Sequence, residues 1–410
     1  MFIILQFSTP LHSSKTSIIP ARARRGRVIL APMPPSIQNS QINIPPDVID
    51  LGLGAPPFTL LPLDIIARSA QVTFAQSDTS FLNYGAEYGD GYFRIALADF
   101  LAQGYGLPVD PERLFITNGI SNGLDQICTL FTQPGDVIFV EEPTYFLALS
   151  IFRDHGLRVM AIDTDEHGLV PASLQDRLAE VRPKFIYTIP TFQNPTGRTL
   201  SQERREILMQ LAREHNFLIV ADEVYHLLAY TQRPPSPFAA YTDSQNIISL
   251  NSFSKILAPG LRLGWMQAHP VTLSRFAASG LLDSGGGLNP FTAALLRHLI
   301  ESGDLQKNLD SLIAIYTERL AFMDACLQKH LPELTYTVPH GGYFFFPRLP
   351  NNMDATLLRE KAAPFKVDFR QGEKFSSRGA LKDYMRLCFA FYAQDQIEEG
   401  LTRLKSVLMR

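Results

Sequence analysis

Between residues 114 and 250, short apolar runs of strand length alternate with longer amphipathic stretches, and this alternation constrains the fold more than any other feature of the chain. The runs Leu114–Thr117, 137–140, 185–189, 218–221 and 247–250 are rich in β-branched and aromatic residues and carry no charge. Continuous apolar runs, as opposed to alternating ones, mark strands covered on both faces. Between them, residues 93–103, 123–131, 174–181 and Gln202–His215 have helical spacing and the length of crossover connections. Two parallel strands can be joined only by such a crossover, so the pattern predicts an α/β fold: a large, mostly parallel sheet with helices on both faces. After about Gly303 the rhythm changes to one long helix over 305–329, then strand regions at 343–347 and 384–389, which predicts a smaller α+β domain. The expected division is a tail over 1–46, an arm over 47–62 belonging with the small domain, a large domain over 63–302 and a small one over 303–410.

Composition removes several classes of function. Hydrophobic residues make up 46% and charged residues 19%, which is enough apolar surface for a substantial core. Lys+Arg 37 against Asp+Glu 40 leaves no basic footprint for a phosphate backbone, so no nucleic-acid partner is expected. Cys128, Cys326 and Cys388 are odd in number, far apart and without metal-ligand spacing, so free thiols in a reducing compartment and no metal are expected. No run reaches the roughly 18 apolar residues of a membrane helix. From Met1 to Pro46 there is no acidic residue, while Lys15, Arg22, Arg24, Arg25 and Arg27 are basic. That composition fits an organelle transit peptide, a disordered tail, or an over-long start with Met33 as the real initiator; a cytoplasmic location is expected, with organelle targeting as the alternative.

The chemistry-bearing residues cluster where strands end. Lys255, in Ser252-Phe253-Ser254-Lys255, follows directly on the 247–250 run, at the strand edge where open α/β sheets bind ligands. A partly desolvated lysine has a depressed pKa, and its neutral amine can attack a carbonyl; most lysines are simply solvated. Thr117-Asn118-Gly119-Ile120-Ser121 joins a strand to a helix, offering backbone N–H groups to an anion, or only a capped helix end. The loop has neither a G-x-G-x-x-G nor a Walker pattern, so neither a nicotinamide cofactor nor ATP is indicated. Asp222 closes the 218–221 run with Tyr225 three residues on, a pair that could hold a ring nitrogen or make an ordinary turn. Asn194-Pro195 is a turn dipeptide whose amide could face a phenolic oxygen. Arg386, inside an apolar strand, calls for a carboxylate, either a ligand's or an internal one.

Taken in this order, the segments resemble the pyridoxal-phosphate-dependent aminotransferases of fold type I, class I/II, from about Ile49 to the C-terminus. The S-F-S-K-x-x-x-P-G-x-R segment at 252–262 and the segment 281–289 are most similar to the kynurenine and 2-aminoadipate aminotransferase branch. The resemblance implies that Lys255 is covalent anchor and proton carrier, that Asp222 pairs with the pyridinium nitrogen, and that Asn194 and Tyr225 bond the ring's phenolic oxygen. Ser252, Ser254, Arg262 and the Gly119, Ile120 and Ser121 loop would hold the phosphate, and Tyr145 would stack on the ring. Gly54, Asn194 and Arg386 would hold the substrate's carboxylate end. Tyr84 would reach the neighbouring subunit's phosphate, making the protein a homodimer. Ile120 departs from the branch, where a serine is frequent, and removes one hydroxyl contact.

The function this implies is transfer of the amino group of an L-amino acid, aromatic or 2-aminoadipate-like, to a 2-oxo acid such as 2-oxoglutarate. A β-lyase of the same fold is the alternative, since one lysine serves both chemistries. A regulator with a fused DNA-binding module would need a folded domain where only 46 proline-rich residues stand.

Overall fold

A computed structural model describes residues 40–409; of the tail expected over 1–46, residues 1–39 lie outside the described part. The strands, in chain order, are β1 (Ile49–Asp50), β2 (Leu114–Thr117), β3 (Val137–Glu142), β4 (Arg158–Asp165), β5 (Gly168–Leu169), β6 (Phe185–Thr188) and β7 (Leu218–Asp222). They continue with β8 (Ile247–Ser252), β9 (Gly264–Ala268), β10 (Phe344–Phe345), β11 (Val367–Asp368), β12 (Arg370–Gln371) and β13 (Met385–Cys388). The helices are α1 (Leu63–Ala75), α2 (Gly91–Tyr105), α3 (Ile120–Phe131), α4 (Phe146–Asp154), α5 (Pro171–Glu180) and α6 (Gln202–His215). Towards the C-terminus come α7 (Pro270–Ala277), α8 (Gly280–Gly285), α9 (Pro290–Glu301), α10 (Asp304–His330), α11 (Ala355–Ala362) and α12 (Gln394–Leu408).

Eight strands form the main sheet, in the order β2-β9-β8-β7-β6-β3-β4-β5. The pairs β4/β3, β3/β6, β6/β7 and β7/β8 are parallel, whereas β9 runs antiparallel to both neighbours and β5 antiparallel to β4. The expected mostly parallel α/β sheet is therefore present, with three strands the apolar runs did not mark: β4, β9 and the two-residue β5. β4 lies next to the sheet's edge and has only Ala161 and Ile162 buried, with Arg158, Asp163 and Asp165 among its exposed and half-buried residues, so it lacks the continuous apolar signature. β9, Gly-Trp-Met-Gln-Ala, follows the Lys255 segment closely and returns antiparallel after a short turn instead of a crossover.

Packing explains why the strands sit where they do. Phe139, Ile186, Ile219 and Ala221 from the sheet meet Leu174 and Leu178 of α5 and Leu208 and Ala212 of α6 in one buried cluster. Burying each large side chain stabilises by roughly 1.5–3 kcal/mol. α6 starts at a Ser201 cap that accepts the Arg204 N–H (3.3 Å) and ends at Asn216 in the left-handed region, φ 52°. Its Arg205 is fully buried, 3.8 Å from the equally buried Glu223, and donates to the carbonyls of Leu200, Ser236 and Pro190. The C-terminal part carries the strands β10-β13-β12, and β1 pairs in parallel with β11, bringing the 49–54 segment across to it.

Candidate active site

β2, β6, β7 and β8 share one direction, so the residues that leave their carboxyl ends emerge on one side of the sheet. Asp222 ends β7 and is 4% exposed. Its Oδ2 accepts the Tyr187 hydroxyl at 2.8 Å; its Oδ1 has only the Val224 N–H at 3.4 Å. Burial pushes the carboxyl up to about 6, against the lowering effect of these donors and of Lys255.

Lys255 follows β8 and is partly buried; its Nζ donates to the Gly54 carbonyl at 2.6 Å and lies 5.4 Å from the centroid of the Tyr343 ring. Desolvation brings its ammonium down to about 8, with Arg386 pushing the same way and Cys388 and Asp222 opposing. The structure thus departs from a solvated lysine: near neutrality a sizeable fraction of the amine is free to act as a nucleophile.

Arg386 on β13 is 3% exposed. Nη1 donates to Asn194 Oδ1 (2.8 Å) and Nη2 to the Gly52 carbonyl (2.6 Å), while Nε has no partner among the described residues. The guanidinium lies 4.0 Å from the Phe344 centroid and 4.9 Å from that of Phe375. Among the described residues no carboxylate pairs with it, and burial lowers its pKa to about 10. A buried cation without a counter-ion is costly, and a carboxylate brought by a ligand would remove that cost. Because arginine only donates, Asn194 must turn its carbonyl oxygen to it, leaving its NH₂ for a different partner. Gly54 stands where a Cβ would lie 2.8 Å from Phe344 Cζ and 3.5 Å from Arg386 Nη2, so no side chain fits between arm and arginine.

The α3 end is an open anion cradle. Its cap is Gly119, with φ 85° and no side-chain cap bond; Asn122 Oδ1 turns instead to Asn118 N and Gln126 Nε2. The first helical N–H groups, of Ile120 and Ser121, are therefore left for an anion. A Cβ on Gly119 would come within 2.8 Å of Arg262 Nη2, so the glycine lets the guanidinium approach the helix start. Arg262 donates to the carbonyls of Pro259 (3.1 Å) and Asn118 (3.3 Å). Ser252 and Ser254, ten and eight residues before it, are hydroxyl to hydroxyl at 2.8 Å, and the Ser252 hydroxyl lies 3.1 Å from Leu263 O. Tyr145 caps α4; its hydroxyl, raised to about 12 by burial, feels the charges of Asp222, Arg386 and Arg262, which puts it among them. Tyr225 packs on Tyr343 and Phe344 with ring centroids 5.4 and 6.0 Å apart, and its hydroxyl has no partner among the described residues. Tyr84 stands apart: it is 80% exposed, on the segment where Gly85 bridges to Gly287.

Several neighbours were not foreseen: Tyr187 under Asp222, Phe344 and Phe375 around Arg386, and Tyr343, whose hydroxyl donates to the Lys255 carbonyl at 3.1 Å. The available signal was a phenol inside a strand read as buried on both faces, since a buried hydroxyl needs a partner.

These groups can be tested against one ligand. A molecule with a phosphate at one end, a basic ring nitrogen at the other and an aldehyde between would meet the α3 cradle, Asp222 and the Lys255 amine, and pyridoxal phosphate has that form. The fold and the site together define a pyridoxal-phosphate enzyme of fold type I. Comparison with known proteins is specific: a family model, aminotransferase class I and II, matches residues 46–404, and the chain belongs to that family. It is a pyridoxal-phosphate-dependent aminotransferase. An aromatic-amino-acid aminotransferase of Thermococcus litoralis is 34% identical, over 88% of both chains. Among solved structures, kynurenine aminotransferase of Pyrococcus horikoshii, in complex with PMP, KYN as substrates and KYA as products, superposes with a TM-score of 0.83 at 32% identity, over 88% of this chain and 91% of that one. LysN, the alpha-aminoadipate aminotransferase of Thermus thermophilus, complexed with N-(5'-phosphopyridoxyl)-L-leucine, gives 0.80 at 29%, over 89% and 92%. No described helix is long and apolar enough to cross a membrane, and no described cluster of His, Cys, Asp or Glu could hold a metal.

Proposed function

We propose that this enzyme takes its amino group from aromatic or 2-aminoadipate-like L-amino acids and passes it to a 2-oxo acid such as 2-oxoglutarate. The observation that carries the reading is Arg386, a buried cation with no carboxylate partner among the described residues, close to Gly54, whose carbonyl holds Lys255. The names of similar proteins, which cover aromatic amino acids, kynurenine and alpha-aminoadipate, support that donor range.

When bound, pyridoxal phosphate supplies an acceptor for the amino group and a ring that withdraws electrons from the substrate's α-carbon. In our reading Arg386, with Asn194 and the Gly54 backbone, takes the substrate carboxylate in a forked pair and so sets the α-carbon beside Lys255. The Lys255 amine, freed from the Gly54 carbonyl, removes the α-proton and returns it one position along. With the cofactor bound, Asp222 would keep a proton on its ring nitrogen, the Asn194 amide and Tyr225 hydroxyl would bond its ring oxygen, and Tyr145 would cover the ring face. Gly119, Ile120, Ser121, Ser252, Ser254 and Arg262 would hold the phosphate, with Ile120 offering its backbone amide and no hydroxyl.

The same reading assigns an arm over 47–62, a large domain over 63–302 and a small domain over 303–410, and makes the protein a cytoplasmic homodimer in which Tyr84 completes the neighbouring site. In support, Tyr84 is exposed, and the nearby rings of Phe74, Phe81 and Phe291 pack together at 6.1–6.4 Å while Phe74 and Phe291 stay exposed.

The test is the absorbance of the purified protein with pyridoxal phosphate, repeated with single L-amino acids and no oxo acid. Loss of the visible band with one equivalent of 2-oxo acid released is the expected outcome for aromatic donors or 2-aminoadipate. Pyruvate and ammonia from a β-substituted amino acid, with no discharge by the others, would replace this reading with a lyase.

A further inference from the structure

Beneath Asp222 lies Tyr187. It sits on β6, opposite Val140 of β3 and Val220 of β7, and is fully buried. Side chains two apart on a strand share a face, so Tyr187, level with Val220, leans along the sheet to Asp222. The ring is locked edge-on against Phe152, centroids 5.5 Å apart at 70°. Among the described residues its hydroxyl has one partner, Asp222 Oδ2, to which it donates at 2.8 Å. The other carboxylate oxygen has only a 3.4 Å contact with the Val224 N–H, and among the described residues no second side chain donates to this carboxylate. Burial drives the phenol's ionisation far above its usual range, so it is a donor at every working pH.

Resting on the assignment of Asp222 to the ring nitrogen, we propose that Tyr187 is a positioning residue for the reaction. Its hydroxyl commits one oxygen of Asp222, aims the other at the ring nitrogen, and weakens the carboxylate as a base so that the shared proton stays on the nitrogen. A hydrogen bond to a carboxylate stabilises the ionised form. Without it, the buried Asp222 becomes more basic and draws the proton to itself. The ring then loses the positive charge that makes it an electron sink, and α-proton removal slows. Amino-acid binding, which uses Arg386 and Gly54, is untouched.

The experiment uses holoenzyme reconstituted with pyridoxal phosphate carrying ¹⁵N in the ring. Tyr187→Phe removes one oxygen and keeps the packed ring. Its ring-nitrogen resonance is expected to move from the protonated toward the unprotonated position. Its kcat should fall about tenfold to a hundredfold, the range for a hydrogen bond to a charged group, with KM for the amino acid unchanged. In an Asp222→Ala background the same substitution is expected to add nothing, because the tyrosine acts only through that carboxylate. An unmoved resonance in Tyr187→Phe, with lower melting temperature or cofactor content alone, would reduce the tyrosine to packing and overturn the proposal. An additional loss of rate in the Asp222→Ala background overturns it equally. If Asp222→Ala itself leaves the resonance in place, the assignment of Asp222 has failed and Tyr187 with it; if only Tyr187→Phe does, the assignment stands.

Discussion

Arg386 and Lys255 show how a residue's burial, more than its type, decides its chemistry. Their cationic groups are held by carbonyls two residues apart, Gly52 and Gly54, and both have depressed pKa values because burial penalises the charged form. Arg386→Lys keeps the charge and loses the fork, so KM for the amino acid is expected to rise about tenfold or more, with affinity for pyridoxal phosphate in equilibrium dialysis unchanged. Lys255→Ala is expected to cost about a thousandfold or more in transamination, the loss expected when the proton carrier goes, while the stripped protein still folds with the same melting temperature. The pH dependence follows from the amine's value of about 8. Only the neutral amine captures the cofactor, so the capture rate of the stripped enzyme is expected to rise about tenfold per pH unit below that value and level off above it. A plateau reached only near pH 10.5, the ordinary lysine value, would show that Lys255 is solvated in solution.

Among the elements, α3 and the β7 end do most to build the site. Gly119 has φ 85° and ψ 172°, a region essentially closed to other residues, and a Cβ there meets Arg262. Gly119→Ala should cost about 1–3 kcal/mol of backbone strain, seen as a loss of about fivefold to 150-fold in pyridoxal phosphate affinity at little change in KM for the amino acid. Beneath β7, Arg205 of α6 faces Glu223 with both side chains fully buried. Arg205→Met strands that carboxylate, and a loss of about 3–5 kcal/mol in denaturant unfolding is expected. Much of this was legible from the runs of apolar residues, including the whole of α6, because a helix with its buried face at Leu208, Leu211 and Ala212 declares its period locally. β4 and β9 were not legible: β4, next to the edge, buries only Ala161 and Ile162 among charged neighbours, and β9, Gly-Trp-Met-Gln-Ala, has no β-branched residue and no alternation to mark it as a strand.

For the molecule as a whole, the open question is how many chains make one site. Exposed Tyr84, with the Phe74, Phe81 and Phe291 cluster, is the face where a second copy would sit in the proposed homodimer. Light scattering is expected to give twice the 45.9 kDa chain mass. Tyr84→Ala and Lys255→Ala proteins, each impaired alone, should recover activity when unfolded and refolded together, because a mixed dimer has one site with both residues intact. Absence of recovery from a demonstrably mixed dimer would show that Tyr84 serves no neighbouring site.

The sequence by itself determined the alternation of strand and crossover, the lysine, aspartate and glycine loop at strand ends, and the arginine in an apolar strand. These are local signals, carried by the period of a segment and the residue that ends it. Only the tertiary structure decided that no described carboxylate pairs with Arg386, that Asn194 is turned by it, and that Tyr187 holds Asp222 from 35 residues away. The reason is physical: what a polar group does when buried depends on which partners the packing brings to it, and those come from segments that no local pattern connects.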